Sequence, residues 1–415
     1  MSNRKLLVTV LSIVFLLAAL SVGLQSVVVS QSPATATQAS EVASPTIPFE
    51  LINRHIILKI RVNDSRPLSF VLDTGDQFAI IDLERAKELK INLGSSVRVG
   101  GAGAATQLGA YVKNAKFTIP ELPGFSQPVT LALPINSLAP RLGQDFDGII
   151  GSEFIQQFVV EIDYQARLLK LHDRKSFEYS GPGESIPIQL NHGHPIVDAE
   201  VTPSGSQPLK GKFVLDLGAG LALALYSPFV KQHHLLESNA QTIQSLGGAG
   251  AGGETSGRIG RVDELTIGTF KIKSPTTLFS QDNAGAFADR ALAGNIGARV
   301  AMKFRVFLDY NRNRIILEPN STFADAYDQA HSGLSLVAEG TGYHTFRIRR
   351  LLENSPATEA GLQTDDIIVR INDQLASELT LSKVNEMFER PVRYRLTIQR
   401  GEQTIETTLT PRRLI

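Results

Sequence analysis

No cysteine and no tryptophan occur among the 415 residues, and methionine occurs only three times. Without cysteine there is no disulfide framework, no thiol nucleophile and no cysteine-ligated metal. Net charge is missing too: 41 Lys and Arg balance 41 Asp and Glu, so no global positive field exists to draw in nucleic acid, and no nucleic-acid partner is expected. Among the eight histidines, His192, His194, His233 and His234 form close pairs, but none has a zinc-ligand spacing. They read as exposed loop or helix residues, and no metal is expected. No Gly-x-Ser-x-Gly elbow is present, which argues against a serine hydrolase. The segment Leu246 to Gly253 fits a loose Gly-x-Gly phosphate loop, yet no Lys-Ser/Thr follows it, so neither a nucleotide nor any other cofactor is expected.

What is present begins with Arg4 and Lys5 ahead of an apolar run from Leu6 to about Val29. This predicts an export signal over residues 1–30. Its length lies near the roughly 20 residues that span a bilayer, so cleavage and retention as an N-terminal membrane anchor are both open. Ala34-Thr35-Ala36 offers a small-residue cleavage site, and residues 31–48, rich in Ser, Thr, Ala and Pro, read as a flexible linker. The expected location is outside the cytoplasm: periplasmic, secreted, or anchored to the outer face of the membrane.

Beyond the linker the chain repeats itself on the scale of a domain. Phe70-Val71-Leu72-Asp73 recurs as Phe213-Val214-Leu215-Asp216, an offset of 143 residues. Gly100-Gly101-Ala102-Gly103-Ala104 recurs as Gly247-Gly248-Ala249-Gly250-Ala251, an offset of 147. Asp163-Tyr164 with Arg167-Leu168-Leu169 matches Asp309-Tyr310 with Arg314-Ile315-Ile316. Both halves are strand-rich. At His55 to Val62, alternation puts Ile56, Leu58, Ile60 and Val62 on one face and Lys59 and Arg61 on the other, a half-buried strand. Helical spacing of Leu83, Ala86 and Leu89 behind Asp82 predicts a short helix capped by that aspartate.

Each half runs an apolar strand straight into an aspartate and a glycine, as Asp73-Thr74-Gly75-Asp76 and Asp216-Leu217-Gly218-Ala219. A pseudo-twofold axis relating the halves would bring Asp73 and Asp216 face to face. Two carboxylates so close cannot both ionise; they share a proton, and one can act as base and the other as acid on a single water.

At these residues the sequence resembles the retropepsin-like aspartic peptidases in a duplicated, single-chain form, over about Phe49 to Pro319. Asp147-Gly148-Ile149-Ile150-Gly151 looks like the family's later glycine motif, with Ala293-Gly294-Asn295-Ile296-Gly297 in its place in the second half. The resemblance implies two pseudo-twofold-related β-barrel lobes, at 49–180 and 181–322, with Asp73 and Asp216 catalytic. It also implies that Thr74, Gly75, Gly218, Gly151 and Gly297 support the active-site loops, and that Gly101, Gly103, Gly248 and Gly250 lie in flaps closing over an extended peptide. Three positions depart from the pattern: Leu217 has no hydroxyl to tie the loops, Asp76 is a third carboxylate, and Asn295 replaces an apolar residue. Because one chain supplies both aspartates, a monomer is expected. A catalytically inactive relative or adapter that binds extended peptides is the alternative.

A third region, residues 328–415, matches neither half. Gly340-Thr341-Gly342-Tyr343, a strand from Thr345, Asn354-Ser355-Pro356-Ala357, Ala360-Gly361-Leu362 and Asp365-Asp366-Ile367-Ile368 together resemble a PDZ domain of the bacterial protease-associated kind. The resemblance implies a small α+β domain in which Gly340, Thr341, Gly342 and Tyr343 receive a peptide carboxylate and the peptide adds as a strand beside Thr345, under a helix at Leu381 to Phe388. Arg347, Arg349 and Arg350 read as a solvated strand face.

Overall fold

The computed structural model describes residues 44–238, 241–327 and 329–415. The predicted export segment and most of the linker lie outside the described residues, among which no helix is long and apolar enough to cross a membrane. The end of the predicted linker is a strand: Thr46–Pro48 pairs antiparallel with Leu168–Lys170, because Ile47, 1% exposed, fills the core.

The protein is mainly β, and its internal repeat is a structural one. Each half forms a ten-stranded sheet, and the strand orders correspond one to one. At each centre a strand ending in the aspartate motif lies parallel to the strand of the later glycine motif, Gly148↔Phe70 in the first half and Gly294↔Phe213 in the second. A six-stranded sheet joins the halves. At its middle Val159–Asp163 pairs antiparallel with Phe304–Asp309, so the repeated strands that lead into Asp163-Tyr164 and Asp309-Tyr310 pair with each other, one from each half.

Local chemistry sets the elements. Asp82 accepts from the backbone N–H groups of Glu84 and Arg85, both at 3.0 Å, and starts the helix Leu83–Glu88. The strand His55–Val62 is buried on both faces near its start: Ile57 joins Val71, Ile80 and Ile149 in a separate cluster. Alternation described only the outer half of that strand, since its inner half lies between two packed layers.

One apolar core runs through both halves, including Leu72, Phe154, Phe213, Leu217 and Phe304, and the C-terminal region has its own, built on Ala338, Phe346, Ile348, Val384 and Ile398. Its sheet places Leu334–Glu339 at one edge, then Thr345–Leu351, Ile367–Ile371, Tyr394–Arg400 and Gln403–Leu409. The edge strand Leu334–Glu339 was not foreseen from the sequence.

Candidate active site

Asp73 and Asp216 end equivalent strands, and their carboxyls hydrogen-bond each other across the axis. Each is held against the other half's glycine. A Cβ on Gly75 would lie 2.7 Å from Asp216 Oδ1, and one on Gly218 would lie 2.2 Å from Asp73 Cγ, so neither position has room for a side chain. Burial raises the pKa of both aspartates; the Gly75 N–H, 2.7 Å from Asp73 Oδ1, moderates it at Asp73, while the neighbouring Asp73 charge pushes Asp216 well up. Both carboxyls therefore hold a proton more readily than a free aspartate, and the pair titrates as a unit that shares one proton.

Thr74 ties the loops from one side. Its hydroxyl donates to the Leu215 carbonyl at 2.6 Å and accepts from the Leu217 N–H at 2.9 Å. Leu217 returns nothing; its side chain is fully buried in the core. Gly151 and Gly297 sit at equivalent helix starts, their N–H groups donating to Phe78 and Ala222 carbonyls just past each aspartate loop. Asp76 accepts from the Phe78 N–H at 3.0 Å, and burial, with the Asp73 charge beside it, pushes its pKa up to about 7.

The Gly-rich loops of the two halves meet. Gly252 N–H donates to the Ala102 carbonyl and Ala105 N–H to the Gly252 carbonyl, both at 2.8 Å, and Ala286 N–H donates to the Gly101 carbonyl. Gly103 lies against Gly252 and Gly250 against Ala102, while Gly248 accepts from the Thr255 N–H.

Three functional candidates escaped sequence reasoning. Asn295 Nδ2 donates to Asp216 Oδ2 at 2.6 Å, and its Oδ1 accepts from the buried Tyr226 hydroxyl. The signal was an amide in a strand position whose counterpart, Ile149, is apolar. His55 and His194 form a second symmetric pair, each opening a strand after a two-residue positive-φ turn, Asn53-Arg54 and His192-Gly193. The His55 ring bonds the Ile52 carbonyl through Nδ1 at 3.3 Å and lies beside the second half's Gly218 to Gly220 loop, while His194 lies beside Thr74, so each reaches the other half's loop. Burial lowers both their pKa values, leaving neutral imidazoles beside Asp73. His194 is thus not the exposed loop residue expected; its signal was the 139-residue offset shared with Ile47-Pro48 and Ile186-Pro187.

Asn295→Leu removes a donor to Asp216 and leaves the Tyr226 hydroxyl buried without a partner. A stability loss of roughly 1–3 kcal/mol is expected in thermal melts, with the Asp216 proton held to higher pH.

In the C-terminal region the peptide position expected beside Thr345 is closed. Thr345–Leu351 is an inner strand, paired on one side with Leu334–Glu339 and on the other with Ile367–Ile371, so no strand can add there. The open edge belongs to Leu334–Glu339, which follows Ser332-Gly333 and lies beside the helix Leu381–Phe388. In the turn, Gly340, Thr341 and Gly342 are exposed, while Tyr343 packs on the first half's Ile57 and Phe146 cluster, with its hydroxyl 3.5 Å from Asp145 Oδ1. Nor are Arg349 and Arg350 merely solvated; both pair with Glu254.

A symmetric pair of aspartate loops in a duplicated β-fold, followed by a small sheet with a helix over its edge, defines a two-lobed aspartate-dyad protein with an appended peptide-binding-type module. Residues 58–154 match the family model described as Aspartyl protease, and residues 323–399 match that of the PDZ domain. The chain carries both domains. No curated protein matches it.

Proposed function

We propose that the protein is an aspartic endopeptidase that hydrolyses peptide bonds in extended polypeptides, acting as a monomer outside the cytoplasm. The observation that carries this reading is the hydrogen-bonded Asp73–Asp216 pair, each carboxyl seated on the other half's glycine. One water held between them loses a proton to Asp73 as it attacks the peptide carbonyl, while the proton on Asp216 goes to the carbonyl oxygen. Transfer of the proton gained by Asp73 to the leaving nitrogen, with a hydroxyl proton of the tetrahedral intermediate returning to Asp216 as the C–N bond breaks, then completes cleavage and restores the pair. The N-terminal apolar run supports export, and the PDZ domain supports binding of peptide segments of protein partners.

The test is cleavage of an unfolded protein by residues 44–415 across a pH series. A bell-shaped profile with an acidic optimum is expected; no cleavage at any pH would leave a peptide-binding protein. Asp76→Asn sharpens the test. Asp76 keeps its proton below about pH 7, so across an acidic profile the amide replaces a neutral group and both limbs should stay in place; a shifted alkaline limb would show Asp76 ionised beside Asp73. The same substitution should remove a stability loss. Asp76 titrates near 7 in the fold against 3.8 in the unfolded chain, so the folded state holds the extra proton and wild-type stability falls as pH rises between these values. Melting temperatures of the Asn form should fall less across that window.

A further inference from the structure

The C-terminal module touches the catalytic halves at two places, and the two are connected. At the first, the groove between the edge strand Leu334–Glu339 and the helix Leu381–Phe388 is already filled. The short helix Ala139–Leu142 of the first half lies against the edge strand, and Gly143 presses on Leu381, where an added Cβ would come within 2.6 Å of that residue's own. Asn53 wedges between them: its N–H donates to Ser382 Oγ at 3.2 Å, its Oδ1 accepts from Asn385 at 3.1 Å, and its Nδ2 donates to the Leu142 carbonyl at 2.9 Å. At the helix end, Glu389 bridges Arg54 of the first half and Arg299 of the second.

At the second place, Glu254 on the second half's Gly-rich hairpin is held by three guanidinium groups: Arg349 and Arg350 of the module and Arg141 of the helix that fills the groove, the last at 2.9 Å. Arg141 thus belongs to both contacts. Glu254 lies two residues from Gly252, whose backbone bonds Ala102 and Ala105 of the opposite flap. Three like charges around one carboxylate repel one another, and burial and crowding lower the pKa of Arg141 and Arg349, so the cluster depends on Glu254 staying in place.

We propose that the C-terminal module is an intramolecular latch: its peptide groove holds the Asn53 and Ala139–Gly143 segments of the first half, and its Arg349 and Arg350, with Arg141, pin the flap hairpin through Glu254. The partner that fits the occupied groove is an extended peptide segment able to pair with the free edge of Leu334–Glu339. To add to the Leu334–Glu339 edge it must displace the Ala139–Gly143 turn, which takes Arg141 from Glu254 and frees the flaps. Its consequence for catalysis rests on the peptidase reading; the latch itself does not.

The test is amide hydrogen exchange on the full chain, which needs no cleavage. Arg349→Gln with Arg350→Gln cuts the flap contact from the module side. Asn53→Gly opens the groove from the other side while keeping a positive backbone φ accessible. Both should speed exchange at the Ala105 and Gly252 amides by roughly three- to tenfold, while amides of the central sheet strands stay protected. Should either variant fail to fold, Glu254→Gln makes the same prediction. Flap exchange equal to wild type in all of them overturns the latch. Acceleration by the arginine changes alone overturns the link between groove and flap. If the unmodified chain cleaves nothing at any pH while the flaps still loosen, the peptidase reading fails and the latch stands.

Discussion

Asp73→Asn and Asp216→Asn each lose cleavage by roughly 10²–10⁴-fold, and the double substitution loses no more than the worse single one, because the two carboxyls act on one water as a unit. Single-turnover assays on one peptide would read this. The same variants should not be less stable at neutral pH. Both aspartates have raised pKa values in the fold, so the folded state binds the proton more tightly than the unfolded chain and loses stability as pH rises above the unfolded value of 3.8. A neutral amide carries no such dependence. At pH 7 the Asn forms should melt at or above the wild-type temperature, and near pH 3 the difference should vanish. Retained cleavage in Asp216→Asn would exclude the intramolecular pair.

Thr74→Val should have the largest effect on stability among the loop positions. Thr74 is fully buried, and its hydroxyl serves two buried backbone groups of the opposite half, the Leu215 carbonyl and the Leu217 N–H. Losing it leaves both unpaired, at roughly 1–3 kcal/mol each, and loosens the junction that sets the carboxyl separation. Melting temperature and rate should fall together, and Thr74→Ser should restore most of both. Leu217→Thr should not give a matching gain. Its side chain fills the core, so the exchange gives up about 1–2 kcal/mol of apolar burial for one hydrogen bond worth roughly 0.5–1.5 kcal/mol. A rise in melting temperature would show that the core there has slack.

The duplication, both aspartates, the Gly-rich loops and the helix Leu381–Phe388 were legible in the sequence because each is a local pattern: an apolar run ending in Asp-x-Gly, a glycine cluster, a helical stripe. Asn295 was legible only as an oddity, since what it donates to comes from another strand 79 residues away. The peptide edge of the C-terminal module was misplaced because Gly340-Thr341-Gly342-Tyr343 is a glycine-rich turn beside a strand. Only the strand order reveals that Thr345–Leu351 is paired on both sides.

The sequence by itself determined that two similar β halves each carry one carboxylate, because the strand-to-turn chemistry that places an aspartate is written in consecutive residues. Tertiary structure alone decided how those carboxylates differ. Asn295, His55 and His194 reach the dyad from strands distant in the chain, and burial by both halves raises the pKa of each aspartate. Tertiary structure also decided that the C-terminal groove faces Asn53 and Gly143, a contact between segments more than 200 residues apart that no periodicity or local motif encodes.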